Sequence, residues 1–251
     1  MTNRAIKNLS MRLGLYPTLR KIYDNVIKPS KAREIRRATD LYSRFVGPGD
    51  LCFDLGANVG NTAEAFLRLK TRVVALEPLP ECVEQLRARF GRNPDFRCVP
   101  KAVARDPGTA RFHIAPTSQQ SSLKPDWWQE HVTSIDVEVT TLDRLIDEFG
   151  VPKFCKIDVE GCEQEVFEGL SRRIPVLSFE YHAQEGEIGR TLECLKRLHG
   201  FGPFRVNVSP METFRLLSDE WWDYEASLRF LSEELGRVPD YYYGDIFVKY
   251  D

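Results

Sequence analysis

From residue 50 onward, short apolar runs alternate with stretches whose apolar residues recur every three or four positions. The runs are Leu51-Cys52-Phe53, Val73 to Leu76, Phe96 to Val99, Phe154 to Ile157 and Val176 to Phe179. Each closes on a polar or proline-containing turn, the pattern of strands buried on both faces of a parallel sheet. Between them, helical spacing predicts helices over Ala63 to Leu69, Cys82 to Phe90 with Gly91 as a stop, Leu142 to Phe149 with Gly150 as a stop, and Glu163 to Leu170. The rhythm breaks between residues 106 and 140. Asp106-Pro107-Gly108 predicts a turn between two short antiparallel strands, followed by a Ser/Gln-rich loop. Further runs follow at Arg205 to Val208 and Phe214 to Leu217. Asp219 to Leu235 then reads as a helix with Trp221, Tyr224, Leu228, Leu231 and Leu235 on one stripe, and Gly244 to Val248 as a last strand.

Upstream, Ile6, Leu9 and Leu13, then Ile35, Ala38, Leu41, Tyr42 and Phe45, fall at helical spacing on either side of Pro29. Residues 1–46 therefore read as helices outside the sheet, a basic extension to a domain over 47–251 that opens with Gly47-Pro48-Gly49-Asp50. Charge sharpens this division. Residues 1–40 hold ten Lys or Arg against Asp24, Glu34 and Asp40, a local +7 that leaves −9 elsewhere in a chain of net charge −2. So weak an overall field excludes whole-molecule attraction to nucleic acid, and no nucleic-acid partner is expected. The basic helices could cap a site, lie on an anionic membrane surface or simply be solvated. Their first 23 residues carry no acid, a composition shared with organelle transit peptides.

With 42% hydrophobic and 29% charged residues over 251 positions, the composition is that of a globular domain rather than a disordered or fibrous chain. No apolar stretch approaches the ~18 residues of a membrane helix, and the N-terminus lacks a secretory signal core. Six cysteines without a C-x-x-C pair lie mostly in apolar runs. They read as buried, reduced thiols in a cytoplasmic protein.

The strongest chemical signal is Asp54-Leu55-Gly56-Ala57-Asn58-Val59-Gly60-Asn61-Thr62, where a buried strand turns into a helix. Glycines there let the backbone approach a ligand, and a helix start offers unpaired N–H groups. Asn61 and Glu64 have capping-box spacing. Glu77-Pro78 ends the next strand, where an acid commonly accepts hydrogen bonds from ribose hydroxyls. Together they predict an adenosine ligand. The loop lacks the second glycine of G-x-G-x-x-G, with Asn58 in its place, which favours S-adenosylmethionine over a dinucleotide. Asp54, Gly56, Asn58, Gly60, Asn61, Glu77 and Ala102 are the expected cofactor residues. An NAD-dependent reductase would use the same strand, loop and acid. A non-catalytic adenosine-binding scaffold is a third reading.

Two further strings end the fourth and fifth strands: Lys156-Ile157-Asp158-Val159-Glu160-Gly161 and Ser178-Phe179-Glu180-Tyr181-His182. Ligands in open α/β sheets bind beyond the carboxyl ends of the strands, so Asp158, Glu160, Glu180 and His182 are expected around one crevice. Strand alternation points Glu180 and His182 to one face.

Combined with Val139-Thr140-Thr141-Leu142-Asp143-Arg144-Leu145, the Asp54 loop and Glu77-Pro78, these strings resemble the FkbM-type methyltransferases over residues 50 to 182. The resemblance implies a Rossmann-like class I methyltransferase fold. That fold is an α/β, doubly wound, mostly parallel seven-stranded sheet with an antiparallel last strand. It also implies S-adenosylmethionine-dependent O-methylation of a hydroxyl on a sugar, glycan or polyketide-like acceptor.

Such a reaction needs an aligned acceptor oxygen and a group to remove its proton. His182 and Asp158 are the candidate bases. Glu160 and Glu180 would orient them or the substrate. A divalent metal held by Asp158, Glu160, Glu180 or His182 could instead lower the hydroxyl pKa. The tryptophans pair as Trp127-Trp128 and Trp221-Trp222. Trp128 and Ser122, in or beside the Gln119-Gln120-Ser121-Ser122 loop, are candidate acceptor contacts, although large aromatics also anchor segments to a core.

Overall fold

The computed structural model describes residues 29–125, 127, 133–183, 186–233 and 242–251. Its main sheet contains β1 (Leu51–Leu55), β2 (Arg72–Leu76), β3 (Phe96–Val99), β7 (Phe154–Ile157), β8 (Val176–His182), β9 (Phe204–Pro210) and β10 (Tyr243–Tyr250). They lie in the order β3-β2-β1-β7-β8-β10-β9. β1 pairs in parallel with β2 and β7, and β10 runs against both β8 and β9. This is the seven-stranded class I arrangement, doubly wound as expected.

Alternation along each strand sorts the core into two faces. Leu51, Phe53 and Leu55 of β1 join a cluster with α4 (Leu142–Phe149), α5 (Glu163–Glu168), α6 (Glu187–His199) and α7 (Tyr224–Glu233). Cys52 of β1 and Phe154 of β7 join the opposite cluster with α1 (Pro29–Tyr42) and α2 (Asn61–Arg68). α1 buries Ile35, Ala38, Leu41 and Tyr42, its helical stripe, and leaves Arg33, Arg36 and Arg37 exposed. Tyr42 sits on the rings of Phe66 and Phe154. The same alternation puts Asp54, Lys156 and Asp245 on the face that α1 covers, one step beyond Cys52, Phe154 and Phe247.

α3 (Pro80–Phe90) follows β2, and its proline stands in the first turn, where a missing N–H costs nothing. α4 is capped by the Thr141 hydroxyl accepting the Arg144 N–H and stops at Gly150, φ 94°. A second sheet, in the order β4-β6-β5, is made of β4 (Ala102–Val103), β5 (Gly108–Ile114) and β6 (Thr133–Thr140). It packs Phe112, Val137 and Val139 against Leu79 and Cys82.

Three local expectations change. The Asp106-Pro107-Gly108 turn joins β4 to β5, but the two do not pair, because β6 lies between them, parallel to β4 and antiparallel to the whole of β5. Phe214 to Leu217 is not a strand. Phe214 has φ 52°, which breaks extension, and only Leu217 donates back to Val208. The helix expected from Asp219 starts at Tyr224, since Asp223 accepts the Ala226 N–H as its cap. Trp222 instead bridges to Val206 and Trp221 meets Phe45. Leu235 lies outside the described residues. Among those residues no helix is long and apolar enough to cross a membrane.

Candidate active site

The carboxyl ends of β1, β2, β7 and β8 open on one cavity of about 780 Å³. One half is built by the loop after β1. Gly56, at φ 79°, lets this loop pass so close to β7 that a Cβ there would strike the Asp158 carbonyl oxygen. Gly56 and Ala57 donate to the Leu76 carbonyl, and the Asn58 N–H donates to Glu77 Oε2 at 2.8 Å. The Leu79 N–H donates to Glu77 Oε1, also at 2.8 Å. Each Glu77 oxygen keeps a second lone pair for a ligand hydroxyl. Burial pushes the Glu77 carboxyl up to about 7, against those two N–H donors.

Asp54 is buried more deeply still. Desolvation raises its pKa to about 7 despite Lys156 and the Ala63 N–H. Asp54 Oδ2 and Asn61 Oδ1 are buried acceptors on the cavity wall without a hydrogen-bond partner among the described residues. A native fold rarely leaves such atoms unpaired unless a ligand or water completes them.

The expected capping box does not form. Gly60, left-handed at φ 81°, is the cap of α2, with no side-chain bond. Asn61 becomes the first helical residue, and Glu64 pairs with Arg68 and Arg89 instead.

The other half of the cavity gathers Asp158, Glu160, Glu180 and His182 as expected. His182 Nε2 lies 3.0 Å from Glu180 Oε2. Burial lowers the His182 pKa, against Glu163 and Asp158, so the imidazole is neutral at neutral pH. Burial and the neighbouring Asp158 push Glu180 well up. Burial, Glu180 and Asp158 push Glu160 up to about 10.

Glu160 has φ 56°, a left-handed backbone rare for a side-chain-bearing residue, and the turn is pinned from several directions. The Trp127 indole N–H donates to Glu160 Oε2 at 3.0 Å, and its ring meets the His182 ring edge-on at 4.7 Å. The Ser122 hydroxyl donates to the Glu160 carbonyl at 2.7 Å, and Arg190 donates to the Gly161 carbonyl at 3.1 Å. Lys156, fully buried, binds Asp158 at 3.1 Å and Asp245 at 2.8 Å, which fixes Asp158 at the mouth of β7.

Not every expected site residue reaches the cavity. Ser122 is fully buried and its hydroxyl is used on Glu160 and on the Lys124 N–H, so it holds the 160 turn and does not line the acceptor side. Gly60 faces Leu86 and Phe90 of α3 and not the cavity. Ala102 does line it, and Trp128 lies outside the described residues. Lys31 and Glu34 of α1, Glu212 and Phe214 after β9, and Tyr243 and Asp245 of β10 also line the wall. None of these six stands out in the sequence except Asp245, an acid inside an otherwise apolar strand.

The profile of the methyltransferase FkbM domain matches residues 54–228. The chain belongs to this family. It is 25% identical over 197 residues, 69% of its length and 79% of the relative's, to the 2-O-methyltransferase NoeI of Sinorhizobium fredii. It is 29% identical over 149 residues, 53% of its length and 56% of the relative's, to the hexuronic acid methyltransferase AglP of Haloferax volcanii. Among solved structures it is similar to a precorrin-6y C5,15-methyltransferase from Geobacter metallireducens, with a TM-score of 0.47 at 10% identity, covering 89% of this chain and 88% of the other.

The protein is therefore an S-adenosylmethionine-dependent methyltransferase and not the reductase that the glycine loop alone leaves open. Its residues fit that cofactor. The unpartnered oxygens of Asp54 and Asn61 suit the donors of an amino-acid ammonium, and the free lone pairs of Glu77 suit ribose hydroxyls.

Proposed function

We propose that this methyltransferase methylates a hydroxyl oxygen of a sugar or glycan. The observation that carries the reading is the His182–Glu180 pair, at 3.0 Å, opening into the same cavity as the Asp54 loop. Bound S-adenosylmethionine supplies an activated methyl group, so the chain's own task is to seat the acceptor oxygen and take up its proton. His182, kept neutral by burial, is the base, and Glu180 orients its imidazole through the 3.0 Å hydrogen bond. Asp158, held by Lys156, accepts a hydrogen bond from the acceptor, and Glu160 orients Trp127 beside it. Asp54, Asn61 and Glu77 hold the cofactor. The hexuronic acid methyltransferase AglP supports a saccharide acceptor, and the 2-O-methyltransferase NoeI supports transfer to oxygen.

The test is methyl transfer to a panel of soluble glycosides by His182→Gln and Asp158→Asn. Each variant should lose about 10²- to 10⁴-fold in kcat while binding S-adenosylhomocysteine as before. A His182→Gln enzyme within ten-fold of the wild-type rate would remove the base from this account.

One observation favours a second reading. Glu160, Glu180 and His182 bring one ligand atom each within 4.8 Å of one another. Two carboxylates and an imidazole suit a divalent cation such as Mn²⁺, which would acidify the hydroxyl directly. If EDTA abolishes turnover and Mn²⁺ restores it, this reading replaces His182 as the base.

A further inference from the structure

The acceptor half of the cavity is more acidic than proton removal requires. Asp158, Glu160, Glu180 and Asp245 form its wall, and Glu34 of α1 and Glu212 after β9 join them from the α1 side. Against six carboxyls the cavity sets Lys31, Lys101 and Lys156; Lys156 is already shared between Asp158 and Asp245, and Lys101 pairs with Glu138. The acids act on one another. After burial, Glu34, Asp158 and Asp245 all push the Glu212 carboxyl up. Carboxyls crowded without a cation keep protons in place of charge, and a bound cation would relieve them.

A second feature of the wall points the same way. Trp127, Phe214 and Tyr243 present aromatic rings beside the acids. Aromatic faces next to carboxylates are the combination that holds an ammonium group. Beside the cavity, Lys124, ion-paired with Glu187, lies with its Nζ 5.0 Å from the centroid of the Trp127 ring and takes up that ring.

We propose that the acceptor is an amino-bearing saccharide, recognised through its ammonium by this acid and aromatic wall, and that a uronate is rejected. The inference rests on the saccharide reading above and narrows it. Glu34 and Glu212 select by charge. Phe214 and Tyr243 supply aromatic surface for the ring and the ammonium. A carboxylate on the acceptor would enter a wall whose lysines already face acids: Lys156 is held by Asp158 and Asp245, Lys101 by Glu138, and Lys31 acts on Glu34 and Glu212.

The experiment uses three methyl glycosides that differ only at C6, present on C5 as an aminomethyl, a hydroxymethyl or a carboxylate group, with the full chain once in EDTA and once with added Mn²⁺. Turnover is measured, and so is calorimetric binding to the S-adenosylhomocysteine complex. The expected order is amine over neutral over uronate, with at least about ten-fold per step in kcat/KM and in affinity, narrowing as salt is raised. Glu212→Lys, at an exposed position, should shrink the step between amine and neutral.

A uronate that binds or reacts as well as the amine overturns the inference, as does an amine no better than the neutral sugar or one that fails to bind. If the amine binds tightest but none of the three is methylated with or without Mn²⁺, the charge selection stands and the transfer to a sugar hydroxyl fails.

Discussion

Asp54→Asn separates what the cofactor needs from what the fold needs. Moving a carboxyl from its ordinary 3.8 to about 7, at about 1.4 kcal/mol per pKa unit, means that keeping Asp54 ionised costs the ligand-free fold about 4 kcal/mol. Its pKa is raised, so the stability it contributes is fully present below pH 3.8 and is lost as pH rises through about 7. Above pH 7 the empty protein therefore carries a buried carboxylate with one unpaired oxygen. An amide has no charge to bury and keeps an oxygen for the Ala63 N–H.

At pH 8 the ligand-free variant should melt higher than the wild type. If half of the cost is relieved, the gain is about 2 kcal/mol, or roughly 4–8 °C for a chain of this size. At pH 5.5 the folded carboxyl is protonated but the unfolded one is already ionised, so the gain should fall to about half, roughly 1 kcal/mol, and vanish only below pH 3.8. The variant should bind S-adenosylhomocysteine about 10- to 100-fold more weakly at pH 8, having lost a charge-assisted bond. Scanning calorimetry at both pH values, with and without S-adenosylhomocysteine, measures all of this. A variant less stable than the wild type at pH 8, or equally shifted at both pH values, would refute the reasoning.

Two further outcomes follow from single positions. Gly56→Ala puts a methyl group into the Asp158 carbonyl at φ 79°. It should cost about 3 kcal/mol or more in denaturant unfolding and remove cofactor binding, and a stable variant that still binds would contradict the close approach. Tyr42→Phe deletes a fully buried hydroxyl with no partner among the described residues. It should raise stability by about 1 kcal/mol; a clear loss would mean that the hydroxyl serves the Lys156–Asp245 pair.

How much of this was legible beforehand follows the range of each interaction. The strands from Leu51 to Phe179 and the helices Cys82 to Phe90 and Leu142 to Phe149 are written in local periodicity, and they stand where that periodicity put them, within a few residues. The Asp54 loop and the two acid-bearing strand ends were also visible, because in an open parallel sheet any polar residue at a carboxyl end faces the same crevice.

Other features needed the fold. That Ser122 is spent on the Glu160 carbonyl, or that Gly60 and not Asn61 caps α2, depends on atoms far apart in sequence or on a single backbone angle. Lys156 stood in a recognised string without a role, since its partner Asp245 arrives 89 residues later on the one strand that runs backwards. The wall formed by Lys31 and Glu34 exists only because α1 lies across the sheet face that carries Asp54, Lys156 and Asp245. Local spacing specifies elements and their polar ends. Which distant charges meet is settled by how strands and helices stack, because burying apolar faces outweighs any single polar contact.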